Sequence, residues 1–540
     1  VPEPDRGSPV PGADGAPSEG RAWHVGLGIL LSRTAGFARD ILVAFFLGSS
    51  RYADLWYLGL RTPNVIQNLL GEGTLSSSFI PVYSRLIGAG RQADAARLAG
   101  AALGLVGTLA FALALVGGLL APGIVGLLFP VLDPESASTL AQMLRILFPM
   151  TALFVVSAWA LGILNSHGRH FVSYAAPVMW NLAIIAAAVL AAATTPAGQA
   201  TTGARLVIWL AWGALAGGVA QVLVQVPFLL RFVRQVRPTL DPRVEGLAEV
   251  RSNFGPALVG RGVVNLSGLL DAFLAALLVQ GAVAHLSRAT ALYLLPISVF
   301  AMAVSAAQLP NFARDRLVDP GALARRLGDS LQALSYFLLP ATVFYLGFGD
   351  LVVEAVFERG DFTADDTRVV SLVLAAYSLG LLASGRSRVL VAAFFSLSDT
   401  RAPARIATLR VAVSALVGAA LMIPLDTTGV GAVRFGAVGL ALGSAAGAWV
   451  EYALLQRRLS HALPALAARR VWAPLAGAAG CGFVAAWGLR FVAESPVRDL
   501  LPAALAGPLL AAGTATAFGG LYIAAARLLG TPMPGRVRSS

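Results

Sequence analysis

Long apolar runs, separated by short polar stretches, recur along nearly the whole chain. A helix needs about 20 apolar residues to cross the hydrocarbon layer of a bilayer. With that length as the window, the chain offers about fourteen candidate spans, at 24–48, 55–84, 95–121, 139–165, 173–194, 205–232, 254–280, 286–310, 323–348, 368–396, 403–424, 431–456, 470–492 and 502–529. The second and eighth are the least apolar, and Pro63, Gly71 and Gly73 interrupt the second. Glycine and alanine are common inside the runs, which suits helices that approach one another closely in lipid. The pattern predicts an all-α polytopic membrane protein.

The stretches between the runs sort by charge. Alternate loops carry arginine, among them Arg85, Arg91 and Arg97, then Arg231, Arg237, Arg243 and Arg251, then Arg401 and Arg405, then Arg457 and Arg458. The intervening loops are acidic or neutral: one holds Asp133 and Glu135, another Asp350, Glu354, Glu358, Asp361, Asp365 and Asp366 against Arg359. Because arginine-rich loops stay on the cytoplasmic side, both termini are expected inside. Residues 1–23 are polar and rich in proline and glycine, without the features of a signal peptide, and are expected to be a disordered tail.

The spans repeat. "APGIVGLLF" at 121–129 and "LGILNSHGRHFVSYAAP" at 161–177 are echoed by "GDLVVEAVF" at 349–357 and "VAAFFSLSDTRAPARIA" at 391–407, with six spans between the copies. An even number keeps the orientation, so the halves are expected to be parallel repeats about an axis along the membrane normal. This divides the chain into an N-lobe at 24–235, a linker at 236–253, a C-lobe at 254–456, a helix pair at 457–529 and a tail at 530–540. Two facing lobes around a central cavity suit a transporter.

Composition narrows the class. Of 540 residues 57% are hydrophobic and 13% charged, against roughly a quarter charged in soluble domains. The net charge of +12 comes from arginine alone, since lysine is absent, and the arginines are scattered over loops without a basic block. That excludes nucleic acid as a natural partner. The one cysteine, Cys481, sits in an apolar run and is expected to be a packing residue, so neither a disulfide framework nor a cysteine zinc site can form. Five scattered histidines, with no HExxH or phosphate-loop pattern, leave no enzymatic constellation or metal site.

The chemistry is concentrated in the first two spans. Arg33 and Asp40, seven residues apart, fall within about 20° of one helix face, while Arg39 points about 100° from Asp40. A bend at Gly36 would let all three converge. In the second span Arg61, Asn64, Asn68 and Glu72 form a polar stripe, with Gln67 beside it. Arginine near mid-bilayer costs at least about 2.5 kcal/mol on insertion scales, so the cluster points to a hydrated cationic cavity for an anionic group, which the guanidinium fork binds bidentately. The second lobe adds Asp271, a candidate for a cation or proton, with Arg288, Arg386 and Arg388. Helix–helix pairing, Arg33 with Asp40 and Arg39 with Asp54, is the competing use of these charges.

"SRTAGFARDILVAFFLGSSRYADLWYLGLRTPNVIQNLLGEGTLSSSFIPVYSRL" at 32–86 resembles the opening of the MurJ (MviN) lipid II flippase family, within the multidrug/oligosaccharidyl-lipid/polysaccharide exporter superfamily. "LGILNSHGRHFVSYAAPVMWN" and "SDTRAPARIA" are similar to that family's fourth-to-fifth and tenth-to-eleventh helix junctions. The resemblance implies a flippase that carries lipid II, an undecaprenyl-pyrophosphate-linked glycopeptide, to the outer leaflet of the bacterial inner membrane. By position it implies cavity roles for Arg33, Arg39, Asp40, Asp54, Arg61 and Glu72, a basic tenth-helix position at Arg388, and an ion-linked acidic position at Asp271. It further implies no cofactor beyond sodium or a proton as coupling ion. The expected partners are lipid II, the surrounding membrane lipids and the cell-wall synthesis machinery, with the chain acting as a monomer. Two positions depart from the family: Gln67 stands where many members have arginine, and Ala291 aligns with the eighth-helix arginine, Arg288 one turn earlier being the candidate replacement. The alternatives are an exporter of another polyprenyl-linked glycan or a small molecule, and a non-transporting cell-envelope scaffold.

Overall fold

The computed structural model describes residues 19–195, 203–233, 236–301, 304, 320–397, 399–430, 433–463 and 472–531. Of the expected tails, 1–18 and 532–540 lie outside the described residues. The first helix, α1 (Glu19–Leu47), begins inside the stretch expected to be tail.

The second span is two helices, α2 (Arg51–Leu70) and α3 (Glu72–Gly88). Gly71 joins them: its N–H donates to the Gln67 carbonyl at 2.7 Å, and a Cβ there would lie 2.3 Å from that oxygen. Only glycine allows this break. Ser50 caps α2 by accepting from the Ala53 N–H, which supplies one of the donors a helix start leaves unpaired.

The N-lobe continues with α4 (Gln92–Ala102), a π turn at Leu103–Gly107, α5 (Thr108–Leu119) and α6 (Ala121–Leu128). The long α7 (Pro134–Ser166), short α8 (His170–Ala175), α9 (Pro177–Ala193) and α10 (Gly203–Val233) complete it. The C-lobe comprises α11 (Leu247–Ala276), α12 (Ala282–Pro296) with a π turn at Ile297–Ala301, α13 (Pro320–Phe357), α14 (Ala364–Ser378), α15 (Leu381–Ser396), α16 (Arg401–Thr427) and α17 (Gly436–Ala462). A two-residue hairpin, β1 (Gly429–Val430) with β2 (Val433–Arg434), precedes α17. The end pair is α18 (Trp472–Leu500) and α19 (Ala503–Leu528).

Ten helices, or eleven counting the bent pair α14–α15 as one, are long and apolar enough to span a membrane among the described residues. Of the three expected spans outside that count, α1 and α2–α3 are interrupted by charge or broken backbone, and part of α11 has its side chains outside the described residues, so the count is consistent with fourteen. The repeat is visible in the backbone: the chain breaks at Leu120 before α6, and α13 kinks at Phe348, the matching position of the second copy.

One buried cluster runs through the N-lobe and into the facing helices of the C-lobe, and a second fills the C-lobe around Leu327, Leu334, Leu390 and Leu455. The end pair docks on α13. Tyr522 Oη donates to the Tyr336 carbonyl at 2.7 Å, Phe483 and Phe518 pack on Phe348 and Phe344, and Arg490–Asp350 and Arg498–Glu354 ion pairs at 2.6 and 2.8 Å join the same helices. Cys481 on α18 is exposed, not packed as expected.

Candidate transport chamber and interlobe seam

Arg39 is the hub of the first span. Its Nε and Nη2 donate to Asp40 Oδ1 at 3.1 and 2.8 Å, and its Nη1 donates to Asn181 Oδ1 on α9 at 3.0 Å. Its guanidinium lies 4.9 Å over the Trp180 ring. Asn181 is oriented in turn by donating from Nδ2 to the Pro177 carbonyl at 3.1 Å. The expected pairs, Arg33 with Asp40 and Arg39 with Asp54, do not form. Adjacent Cα positions diverge by about 100° on a helix, but the arginine side chain is long enough to wrap back to its neighbour. No bend at Gly36 is needed: α1 runs through it unbroken.

These residues face a cavity of about 810 Å³ inside the N-lobe. Its walls come from α1, α2, α3, α7, α8, α9 and α10, and include Asn64, Gln67, Ser157, Asn181 and Gln221. Among the described residues Arg39 is its one charged wall residue, already paired with Asp40. The expected gathering of arginines in a single chamber is therefore not what the structure has. Arg33 is exposed and donates to Ser298 Oγ at 2.7 Å across the lobes. Arg61 donates to Ser287 Oγ of α12 at 3.3 Å and faces Asp271. Glu72 opens α3; its side chain lies outside the described residues.

A second charged group sits in the C-lobe. Arg410 of α16 pairs with the buried Glu451 of α17 at 2.8 Å. Arg388 lies in the field of both, and Asp271 in the field of Arg61 and Arg410. Tyr293 Oη donates to Ser384 Oγ at 2.7 Å beside them. Arg386 turns elsewhere, buried, donating to Ser335 Oγ at 3.0 Å with its guanidinium 5.1 Å over Tyr452.

Arg288 and Asp54 belong neither to the chamber nor to the charged group of the C-lobe. They close the seam between lobes at the acid-rich end. Asp54 accepts from the Gly281 and Ala284 N–H groups at 2.6 and 2.8 Å, where α12 begins; a carboxylate at a helix N-terminus satisfies free donors and the helix dipole together. Arg288, 1% exposed, donates to Ser49 Oγ at 3.0 Å and to the Gly48 carbonyl at the end of α1, and lies 5.0 Å over the Phe362 ring. One turn nearer the start of α12 than Ala291, its side chain is aimed into the seam and not into the chamber. The Asp361 N–H donates to the Phe45 carbonyl at 2.8 Å. Gly48 and Gly360 both have positive φ, and a Cβ on either would lie within 2.4 Å of the opposite backbone.

At the arginine-rich end, α3 and the linker are bridged by Arg85–Glu249 and Arg91–Glu245, each 2.5 Å at the closest approach. The hydrogen bond from Arg91 holds the Glu245 carboxyl below its ordinary range. Both ends of the molecule are thus bridged around the polar interior.

The sequence pattern missed Asn181, Ser157, Gln221, Arg410 and Glu451. Asn181, Ser157, Arg410 and Glu451 meet their side-chain partners only on other helices, and Gln221 with Gln225, one turn apart in an apolar run, was passed over. The signal was there nonetheless: an isolated amide or charge at membrane depth needs a partner on another helix.

Two repeated helical lobes with a polar chamber at membrane depth define a polytopic membrane transporter rather than an enzyme. The sequence profile described as "Lipid II flippase MurJ" matches residues 43–497. A probable lipid II flippase MurJ of Rhizobium meliloti (strain 1021) is 32% identical over 417 residues, 75% of this chain and 76% of that protein. One from Vibrio cholerae serotype O1 is 28% identical over 441 residues, 80% of each. The fold is similar to that of a solved lipid II flippase MurJ in an inward closed conformation, with a TM-score of 0.71 at 20% identity, covering 92% of this chain and 99% of that one. An inward-facing multidrug resistance MATE family transporter of the MOP superfamily is similar at a TM-score of 0.63 and 16% identity, over 83% of this chain and 98% of that one. The chain belongs to the lipid II flippase MurJ family.

Proposed function

We propose that this protein flips lipid II from the cytoplasmic to the outer leaflet of the bacterial cytoplasmic membrane, its termini inside, by alternating access between its lobes. The family match over residues 43–497 carries this reading. Lipid II presents a pyrophosphate, two sugars and a peptide. The interlobe arginines Arg33 and Arg61, with Arg388 and Arg410 opposite, supply cationic groups for the phosphates, and guanidinium forks suit phosphate oxygens. The seam contacts of Asp54, Arg288 and Asp361 support an outward gate that breaks as the lobes rock. Asp271 is the candidate for ion coupling, because its carboxylate faces arginines of both lobes, Arg61 and Arg410. A proton there would weaken that interlobe attraction and so favour one state over the other.

The test is complementation of a bacterium depleted of its own flippase, using this chain and its Arg33→Ala and Arg39→Ala variants at matched membrane levels. Rescue by the unmutated chain and loss with the variants is expected. Full rescue by both variants sinks the cavity mechanism, and failure of the inserted, unmutated chain sinks the cargo assignment.

A further inference from the structure

The N-lobe chamber is built for something other than an anion. Its single guanidinium is already neutralised by Asp40 and sits with one face on Trp180. Among the described residues the rest of its polar lining is uncharged: amides from Asn64, Gln67, Asn181 and Gln221 and hydroxyls such as Ser157. Such groups donate and accept at once, so they discriminate neutral hydroxyl- and amide-bearing groups, and a bare phosphate would find only one shared cation.

The lining also holds hydrogen-bonding capacity that the protein leaves unspent. Asn64 Oδ1 is buried without a partner. Ser157 Oγ accepts from Gln221 Nε2 and from Gln225 Nε2, both at 2.9 Å. Those two donors fill its lone pairs, and its own proton is left to donate. Behind it Gln225, 1% exposed, has an orphaned Oε1. Turning that amide over to receive the Ser157 proton moves the orphan to its nitrogen without removing it. Buried polar groups are normally satisfied, so a wall with an unspent acceptor on α2, and one unspent donor or acceptor left over within the Ser157–Gln225 pair between α7 and α10, is a wall awaiting a ligand. The volume, about 810 Å³, is within the range of about 300–1,000 Å³ common for small-molecule sites.

We infer that the N-lobe chamber is a subsite for the uncharged, amide- and hydroxyl-bearing part of the transported head group, held by Asn64, Ser157, Gln221 and Asn181, separate from the arginines that take its phosphates. N-acylated sugar and peptide backbone share this chemistry. The inference rests on the transport reading for the identity of the cargo, but not for the recognition chemistry.

The experiment uses the full chain in lipid nanodiscs and three probes: di-N-acetylchitobiose, acetyl-trialanine amide and inorganic pyrophosphate. Two variants act differently. Asn64→Leu removes an unspent acceptor, while Gly36→Leu fills space without deleting a hydrogen bond, since a Cβ at Gly36 meets only the Asn181 amide at 3.7 Å. Each is expected to weaken binding of the chitobiose or the peptide by about three- to tenfold, the scale of one neutral hydrogen bond, and to leave pyrophosphate binding unchanged. Which neutral probe responds identifies the sugar or the peptide as the occupant. No binding of either neutral probe, binding indifferent to both variants, or an equal loss of pyrophosphate overturns the inference. Complementation by the unmutated chain is scored in parallel. Variant-sensitive binding without rescue refutes the flippase reading and keeps the subsite, whereas rescue with indifferent binding does the reverse.

Discussion

Replacing Arg288 with methionine deletes a guanidinium that is 1% exposed while keeping most of its volume. Lost with it are the hydrogen bonds to Ser49 Oγ and the Gly48 carbonyl and the contact over Phe362. In gross terms, hydrogen bonds from a charged donor contribute about 1.5–3 kcal/mol each, and a desolvated cation–π contact about 2 kcal/mol. Against this stands the desolvation of the guanidinium, several kcal/mol in a closed seam, which is relieved when the seam opens. The hydrogen-bonding groups left behind are a carbonyl and a hydroxyl, while Asp54, which loses a nearby cation, keeps its two backbone donors at Gly281 and Ala284. The net loss is therefore about 2 kcal/mol, the penalty of stranding a neutral group, equivalent to about a 30-fold rise in the open population. A cysteine at Ala284, buried in the closed seam with its N–H on Asp54, reports that population in a Cys481→Ala background. Its labelling by a membrane-impermeant maleimide is expected to quicken about 30-fold with Arg288→Met. Unchanged labelling would refute the latch, because it would mean that the seam stays shut without its buried cation.

Other expectations follow from the same geometry. Gly360→Ala, at φ +63 with its Cβ 2.4 Å from the Phe45 carbonyl, should raise Ala284Cys labelling as Arg288→Met does; equal rates in the parent and the variant would show that the turn does not hold the seam. Asp40→Asn should free the Arg39 guanidinium from a partner at 2.8 Å and raise pyrophosphate affinity in nanodiscs while impairing complementation, and unaltered affinity would count against Arg39 being neutralised by Asp40. Glu245, held below its ordinary range by Arg91, gives the linker bridge a defined pH window. A depressed carboxyl stabilises the closed linker fully above the unfolded glutamate value, about 4.3, and that contribution disappears as pH falls through the lower, folded value. Proteolysis of the 236–246 segment should be slow at pH 6, and Glu245→Gln should speed it there; protection unaffected by the variant would remove the bridge from the account.

Much of the architecture was legible because lipid demands long apolar helices, and the repeat placed the breaks at Leu120 and Phe348 in matching positions. Of the polar stripe Arg61, Asn64, Asn68 and Glu72 with Gln67 beside it, Asn64, Gln67 and Asn68 line the chamber, while Arg61 reaches Ser287 across the lobes. Pairing was less legible. Helical projection separates Arg39 from Asp40, yet side-chain reach rejoins them. Arg288 and Asp54 read as cavity charges but seal the seam, because a three-residue shift along α12 decides between interior and interface. Asn181 and Glu451 acquire meaning only through partners on other helices, Arg39 and Arg410, that no local pattern connects.

Transport itself is tested most directly by where lipid II resides. In a bacterium depleted of its own flippase and expressing this chain, lipid II should become cleavable by an externally added, membrane-impermeant lipid II-degrading enzyme. The exposure should fall sharply with Arg39→Ala at matched membrane levels. Lipid II that stays protected in cells carrying the correctly inserted, unmutated chain would contradict the account.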